Sequence, residues 1–223
     1  MGLPVLAQSG AKATIVYPYR DKLARDINSQ ASRLQQPGHI DFRSTRHNYR
    51  IFVDASAVFA TTAEAFLGAV TSYHNFVRWG IPSMKAVHVI KHPTPNDYLV
   101  WNWLSMVGIK SKHCVHSQIR AMGANAKALI WNMVPCPKII ASNKQSLKKH
   151  YGNDPAFRDL KGSFYIETLK QNAQQSPRIY VRYYTVTQLK TGIPPALVHF
   201  ISKFRLKSDI RKMLTTYANH ALR

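Results

Sequence analysis

The segment YVRYYTVTQLKTGIPPALVHF, residues 180–200, joins two patterns that predict different secondary structures. In its first half, β-branched and aromatic residues alternate with polar ones, as is typical of a strand. Gly192, Pro194 and Pro195 end the alternation, and proline is favoured in the first turn of a helix. Apolar residues at helical spacing then continue almost to the C-terminus. The segment therefore predicts a last strand that leads directly into a long C-terminal helix.

The chain before this segment supplies the other strands of a sheet. YRIFVDASAVFA, residues 49–60, is strand-like, and TTAE at residues 61–64 is a capping box that begins a helix ending near Gly80. Five more strand-like segments follow, and short turns, one of them at residues 109–111, join them in order, which favours an antiparallel meander. Such a sheet buries one face, and the last helix is the long element that can cover it. We therefore predict an α+β fold in which a bent antiparallel sheet wraps around the C-terminal helix.

Residues 1–45 differ from the rest of the chain because they are polar and irregular. We interpret them as an N-terminal arm on one domain that spans residues 46–223, with a short amphipathic helix at residues 21–34. Val5, Leu6 and Ala7 resemble the small-residue end of a signal peptide, although the charged and apolar parts that precede such an end are missing. This signal-like remnant predicts export to the periplasm, and an ordinary terminus of a cytoplasmic protein is the alternative.

The composition limits the class of protein and of partner. A chain of 223 residues with 45% hydrophobic residues can bury a core, and its apolar runs are too short to cross a bilayer. Lys and Arg number 31 against 10 Asp and Glu, so the formal net charge is +21. Such an excess favours an anionic partner, which can be a nucleic acid, an anionic membrane or an acidic ligand.

Two hairpins predict which side chains face the covered side of the sheet. A turn at residues 124–125 sets Cys114 opposite Cys136, and a turn at residues 173–175 sets Glu167 opposite Arg182. A filled core would also explain the apolar residues that then face inward. One helix covers a wide bent sheet incompletely, however, so we expect an enclosed apolar cavity. The residues expected to line it are Trp101, Trp103, Trp131, Met133, Phe164, Ile166, Tyr183, Leu197, Phe200 and Phe204.

The order of elements and two motifs resemble the helix-grip fold of the START-like (SRPBCC) superfamily, which includes StAR-related lipid-transfer domains and bacterial polyketide cyclases. The resemblance spans residues 49–214 and is most specific in LKGSFYIETL, residues 160–169, and in residues 178–203. The residues that match the family's pattern are Gly162, Phe164, Val181, Tyr183, Gly192, Pro194, Leu197, Val198 and Phe200. The Asp-Pro-Gly that is common before the family's last helix is missing, since LKTG occupies residues 189–192.

The resemblance implies an apolar tunnel that holds a lipid, a sterol or a polyketide-like molecule. Most members of the superfamily bind and move such ligands, whereas a few are cyclases, hydrolases or dehydratases. We therefore expect this chain to bind and transfer a hydrophobic ligand, as a monomer and without a cofactor. A cyclase- or hydrolase-type enzyme acting on a hydrophobic small molecule is the first alternative, and a nucleic-acid-binding module is the second.

The sequence lacks the signatures of common catalytic sites. It contains no G-x-S-x-G or H-E-x-x-H motif, no phosphate-binding loop and no paired carboxylates. Asp54 and Glu167 lie in predicted strands, but we expect both to face outward. The sequence therefore favours a binding protein over an enzyme and assigns no catalytic residue, although a Tyr or His in the cavity could still support catalysis.

The two cysteines admit three interpretations. Cys114 and His116 would share one face of their strand with Cys136 across from them, which offers three ligands to a metal but no evident fourth. A disulfide between Cys114 and Cys136 is the interpretation that the hairpin favours, and export would favour it further. Free thiols are the third interpretation. We expect the disulfide and no metal site.

Basic residues crowd the predicted C-terminal helix. They are Lys203, Arg205, Lys207, Arg211 and Lys212. A solvated face would account for them, and so would docking on an anionic membrane, to which each cation adds roughly 1 kcal/mol. Nucleic acid fits less well, because most aromatic residues occupy strand positions and are not interleaved with exposed cations. We expect this surface to dock peripherally on an anionic membrane.

Overall fold

The structure, a computed structural model, describes residues 39–136, 155–169 and 176–222. Within these ranges eight strands form one antiparallel sheet in the order β1-β2-β8-β7-β6-β5-β4-β3. The strands are β1 (Ile40–His47), β2 (Arg50–Phe59), β3 (Met84–Thr94), β4 (Asp97–Met106), β5 (Ile109–Gly123), β6 (Ala126–Val134), β7 (Phe157–Thr168) and β8 (Ile179–Leu189). The strands β3 to β8 pair in chain order, as the predicted meander requires.

Helices follow β2 and β8. The first is α1 (Ala63–Thr71), and the chain ends in α2 (Pro195–Phe200), a π-helical segment (Ile201–Arg205) and α3 (Leu206–Ala221). Thr62 caps α1, because its hydroxyl accepts a hydrogen bond from the Ala65 amide at 3.1 Å. Pro195 is the first residue of α2, where a missing amide proton costs little. None of the described helices is long and apolar enough to cross a membrane.

The helices α1 and α3 pack on each other and cover one end of the sheet. Phe66 of α1 is fully buried, stacks on Phe59 and meets Phe164 and Tyr217 edge to face. At the same end, the Lys127 ammonium lies 3.0 Å from the Glu64 carboxylate, which joins the start of β6 to α1. The predicted arrangement of an antiparallel sheet around a C-terminal helix is therefore confirmed.

The opposite end of the sheet is covered less completely. There lie the β4–β5 hairpin, the end of β8 and the start of α2. The helix α1 packs mainly on β6, β7 and α3, so it adds little cover at this end. The Ser44 hydroxyl of β1 donates to the Ser202 carbonyl at 3.4 Å and ties the edge of the sheet to the π-helical segment. Open space in the interior is therefore expected at this end.

The sheet begins earlier than predicted. Residues 40–45 were assigned to the N-terminal arm, but Ile40–His47 forms β1, which pairs with β2 along its whole length. The described sheet therefore has one strand more than the sequence predicted. The signal-like residues and the helix predicted at residues 21–34 lie outside the described residues.

Both predicted hairpin registers are displaced by two residues. Cys114 lies opposite Val134, two residues short of Cys136. Arg182 lies opposite Tyr165 and not opposite the predicted glutamate. Because side chains alternate between the faces with a period of two, this displacement leaves the side chains of these two hairpins on their predicted faces.

Candidate functional site

A cavity of about 270 Å³ lies between the covered face of the sheet and the C-terminal helices. Its wall includes Met106, Ile109, Phe157 and Leu189, which all lie at the end of the sheet that α1 leaves open. The cavity therefore occupies the space that one helix across a wide sheet does not fill.

A glycine makes room for the largest side chain in the wall. Gly162 of β7 lies directly opposite Trp131 of β6. A Cβ at position 162 would lie 2.5 Å from Trp131 Cζ2 and would also collide with the carbonyl oxygen of Tyr184. Only glycine therefore lets the indole ring lie against the backbone of β7.

Three aromatic rings form one side of the cavity. The ring centroid of Phe164 lies 5.5 Å from that of Trp131 and 5.1 Å from that of Tyr183. Phe164 is 5% exposed, whereas Trp131 and Tyr183 are only partly buried. Because Trp131 and Tyr183 are part of the cavity wall, we attribute their accessibility to the empty space beside them.

Polar side chains of β5 interrupt the apolar wall. Ser111 Oγ lies 3.1 Å from His113 Nδ1 and accepts a hydrogen bond from the Ala156 amide at 3.1 Å. Burial lowers the pKa of His113 to about 4, so the imidazole is neutral at neutral pH. Since the Ser111 hydroxyl already accepts from a backbone amide, its own proton can be donated to His113 Nδ1.

Three tyrosines also belong to the wall. Burial raises the pKa of Tyr73 and of Tyr183 to about 12, and it raises that of Tyr217 well above the ordinary value. Their hydroxyls are therefore neutral hydrogen-bonding groups. Ser117 lies near Tyr73 and partly offsets the rise in its pKa, yet the Tyr73 hydroxyl makes no hydrogen bond to any described residue.

Asp209, in the first turn of α3, is the acidic residue of the described wall. Burial raises its pKa, and the nearby charges of Arg205 and Lys212 act in the opposite direction. Its Oδ1 lies 3.4 Å from Arg205 Nη2, whereas its Oδ2 has no hydrogen-bond partner in the described part of the chain. No lysine or arginine is among the described residues of the wall.

Three of the ten residues expected in the cavity belong to its wall: Trp131, Phe164 and Tyr183. Met133 and Ile166 share their predicted face but lie outside the cavity. Met133 is the second-to-last residue of β6 and lies beyond the cavity wall. Ile166 is fully buried in the core at the end of the sheet on which α1 packs.

Trp101 and Trp103 of β4 were placed on the wrong face. The structure turns Asn102 toward the cavity, and the two tryptophans face the other side of the sheet. The prediction set the turn at residues 109–111, but the tight turn is at Val107 and Gly108, which have φ of 43° and 79°. This shift reverses the alternation along β4.

Leu197, Phe200 and Phe204 do not line the cavity either. Val198 and Ile201 are buried instead, while Phe200 is 43% and Phe204 is 57% exposed. The π-helical segment takes more residues per turn than an α-helix and so shifts the buried face of the residues that follow it, Asp209 and Ile210 among them. The apolar stripe read from the sequence assumed a regular α-helix.

The polar residues of the wall were missed. Among them are Tyr73, Asn102, Ser111, His113 and Asp209. For Ser111 and His113, the signal was the alternation along β5, because the predicted turn at residues 124–125 that turns Trp131 inward also turns the odd-numbered residues of β5 inward. For Asp209, a lone acid in a basic helix was the signal.

The two cysteines are joined by a disulfide. Their Cα atoms are 5.2 Å apart, although Cys136 itself lies just beyond β6. Cys114 pairs with Trp101, so the bond lies on the face of the sheet that is turned away from the cavity. No group of three or more potential metal ligands occurs among the described residues.

All five basic residues assigned to membrane docking are exposed on the π-helical segment and α3. Beside them lie the exposed rings of Phe200 and Phe204, with centroids 5.5 Å apart. The Lys203 ammonium lies 5.2 Å from the centroid of the Phe204 ring. This exposed surface, called the Phe200/Phe204 surface below, combines aromatic rings and cations.

Neither a family model nor the sequence of a curated protein matches the chain. Solved structures do match it. A STAR-related lipid transfer protein from Xanthomonas axonopodis has a TM-score of 0.59 at 13% identity, over 82% of this chain and 93% of that one. Human STARD10 has a TM-score of 0.54 at 12% identity, over 92% of this chain and 82% of that one. The Zhui aromatase/cyclase of a Streptomyces species has a TM-score of 0.53 at 9% identity, over 78% of this chain and 94% of that one.

The chain therefore has the START-like, helix-grip fold that its sequence resembles. At these identities the likeness concerns the fold, because one fold supports many functions. The fold alone does not define the function, which depends on the cavity and the surface around it.

Proposed function

We propose that this protein binds one hydrophobic small molecule, such as a lipid or a polyketide-like compound, in the cavity and exchanges it with an anionic membrane. The observation that carries the first part is the largely apolar cavity beside Trp131, Phe164 and Tyr183. An empty apolar space forfeits contacts between side chains and lowers the stability of the fold. An apolar ligand restores those contacts, and ligand sites are apolar cavities with a few polar groups. The fold shared with lipid-transfer and aromatase/cyclase proteins supports the same proposal.

Binding of the neutral dye N-phenylnaphthylamine, which fluoresces in apolar surroundings, tests the proposal. We expect saturable binding of one dye molecule per chain, and Trp131→Ala should weaken it by about tenfold through lost ring contacts. Trp103→Ala is the matched control, because Trp103 lies on the other face of the sheet and should leave the affinity unchanged. If the wild type shows no saturable binding, the proposal is wrong.

The Phe200/Phe204 surface supports the second part of the proposal. The segment that carries the two exposed rings also places Ile201 in the cavity wall, so membrane contact and cavity are joined by a few residues. Exposed aromatic rings enter the boundary between headgroups and acyl chains, and each nearby cation adds roughly 1 kcal/mol at an anionic surface. Rings and charges on one segment therefore suit peripheral docking.

Sedimentation with lipid vesicles tests the docking. We expect binding to phosphatidylglycerol-containing vesicles that weakens as salt rises, because charge attraction is screened within about 10 Å at 0.1 M salt. Phe200→Ser with Phe204→Ser should reduce it, whereas Val77→Ser, at another exposed apolar side chain, should not. Equal binding to neutral vesicles would contradict a role for the charge, and binding to nucleic acid alone would favour the nucleic-acid alternative.

A second candidate function is catalysis on the bound molecule, and the pair formed by Ser111 and His113 favours it. A neutral imidazole in hydrogen-bond reach of a serine hydroxyl can act as a general base. Release of nitrophenol from medium-chain nitrophenyl esters should then be measurable and should be lost in His113→Gln. Release at the same rate in that variant would exclude this pair as its cause.

A further inference from the structure

The charge of the cavity wall is opposite to that of the chain. The chain carries a formal net charge of +21, yet the described wall contains the carboxylate of Asp209 and no lysine or arginine. An acidic headgroup would therefore meet no cation of the described wall that could pair with it inside the cavity. A buried charge without a partner is costly, so the wall disfavours ligands with an acidic end.

The carboxylate of Asp209 is only half satisfied. Asp209 is 8% exposed, and its Oδ1 faces Arg205 at 3.4 Å, so much of its charge is balanced. Its Oδ2 is buried without a hydrogen bond to any described residue. A buried acceptor without a donor costs about 1–3 kcal/mol. What the carboxylate lacks is therefore a hydrogen-bond donor.

Tyr73 carries a second buried polar group that a ligand could hydrogen-bond. Its hydroxyl is buried and has no partner among the described residues, although the side chain belongs to the wall. The Tyr73 ring lies near those of Phe76 and Tyr98. A hydroxyl group can both donate and accept, so it suits either position, whereas an ionised carboxylate can only accept.

We propose that the cavity selects neutral hydrophobic molecules with a hydroxyl group that donates to Asp209, and that it rejects fatty acids and other acidic lipids. A cationic end gains little there, because the Asp209 carboxylate already pairs with Arg205 at 3.4 Å. This inference rests on the proposed function, since it concerns which hydrophobic molecule the cavity takes.

Three molecules with one alkyl chain test it: dodecanol, dodecanoate and dodecylamine, each used to displace bound N-phenylnaphthylamine. We expect dodecanol to compete about tenfold more tightly than dodecanoate, and more tightly than dodecylamine. Asp209→Asn keeps an acceptor but removes the charge, so the preference for dodecanol over dodecanoate should shrink. Asp209→Leu should weaken dodecanol itself. Glu64→Gln is the control, because Glu64 is an exposed acid on α1.

The outcomes separate this inference from the proposed function. If the dye does not bind, the proposed function fails. If the dye binds and dodecanoate or dodecylamine competes as well as dodecanol, the inference is overturned while the proposed function stands. If dodecanol is preferred equally by the wild type, Asp209→Asn and Asp209→Leu, the selection does not reside at Asp209 and the inference is again overturned.

Discussion

Replacing Gly162 with alanine should disturb the fold and the cavity together. The new Cβ would lie 2.5 Å from Trp131 Cζ2, and ordinary contact begins at 3.4 Å, so the indole must move by the difference, about 0.9 Å. The neighbouring carbonyl of Tyr184 belongs to the β8 backbone and cannot move independently of the sheet. Overpacking of this kind lowers the free energy of unfolding by about 1–3 kcal/mol. Each kcal/mol lowers the Tm by roughly 2–4 °C in a protein of this length.

The matched control is the same substitution in a helix. Gly68 lies in α1 with nothing within 4 Å of a new Cβ, so Gly68→Ala should stabilise the protein by up to about 1 kcal/mol. Urea unfolding measures both variants, and dye binding reports the cavity. We expect Gly162→Ala to lose stability and dye affinity, and Gly68→Ala to keep the affinity. If Gly162→Ala matches the wild type in both measurements, the account of how Trp131 is positioned is wrong.

Three further expectations concern stability. Phe164→Ala should cost about 3–5 kcal/mol because the ring is almost fully buried, whereas Trp131→Ala should cost less because more of the indole borders empty space. Equal losses in urea unfolding would argue against the cavity. Cys114→Ser should lower the free energy of unfolding by about 3 kcal/mol, because the disulfide closes a loop with a sequence separation of 22. A smaller loss would mean that the bond adds strain or that the denatured chain is already compact. Folding lowers the pKa of His113 from its ordinary value of about 6.5 to about 4. Between these two pH values the unfolded state therefore binds one proton more than the folded state. The free energy of unfolding should fall by roughly 3 kcal/mol in total as the pH drops from about 6.5 to about 4. His113→Gln should flatten that part of the stability profile, and an unchanged slope would assign it to another group.

The fold could be predicted because it rests on patterns that survive small errors. Strand alternation, the threonines before α1 and the prolines before α2 define the elements without any knowledge of register, although Thr62 and not Thr61 caps the helix. Even a displacement of two residues in a hairpin left Trp131 on its predicted face. The fold therefore followed from alternation and order.

The cavity wall was harder to predict, because it depends on details that alternation does not contain. Placing one turn at residues 109–111 and not at Val107 and Gly108 reversed the faces of β4. The π-helical segment Ile201–Arg205 changed which side of the last helix is buried. Both features are local. The turn exchanged Trp101 and Trp103 for Asn102 in the cavity wall, and the π-helical segment shifted the buried face of the residues that follow it, Asp209 among them.

Photolabelling with a neutral long-chain alkyl diazirine, followed by peptide mapping, tests the central claim most directly. If the cavity holds a hydrophobic ligand, the label should fall on the peptides that contain Trp131, Tyr183 or Met213, and an excess of unlabelled ligand should prevent it. Labelling that is confined to the Phe200/Phe204 surface, or that excess ligand does not reduce, would contradict binding inside the cavity.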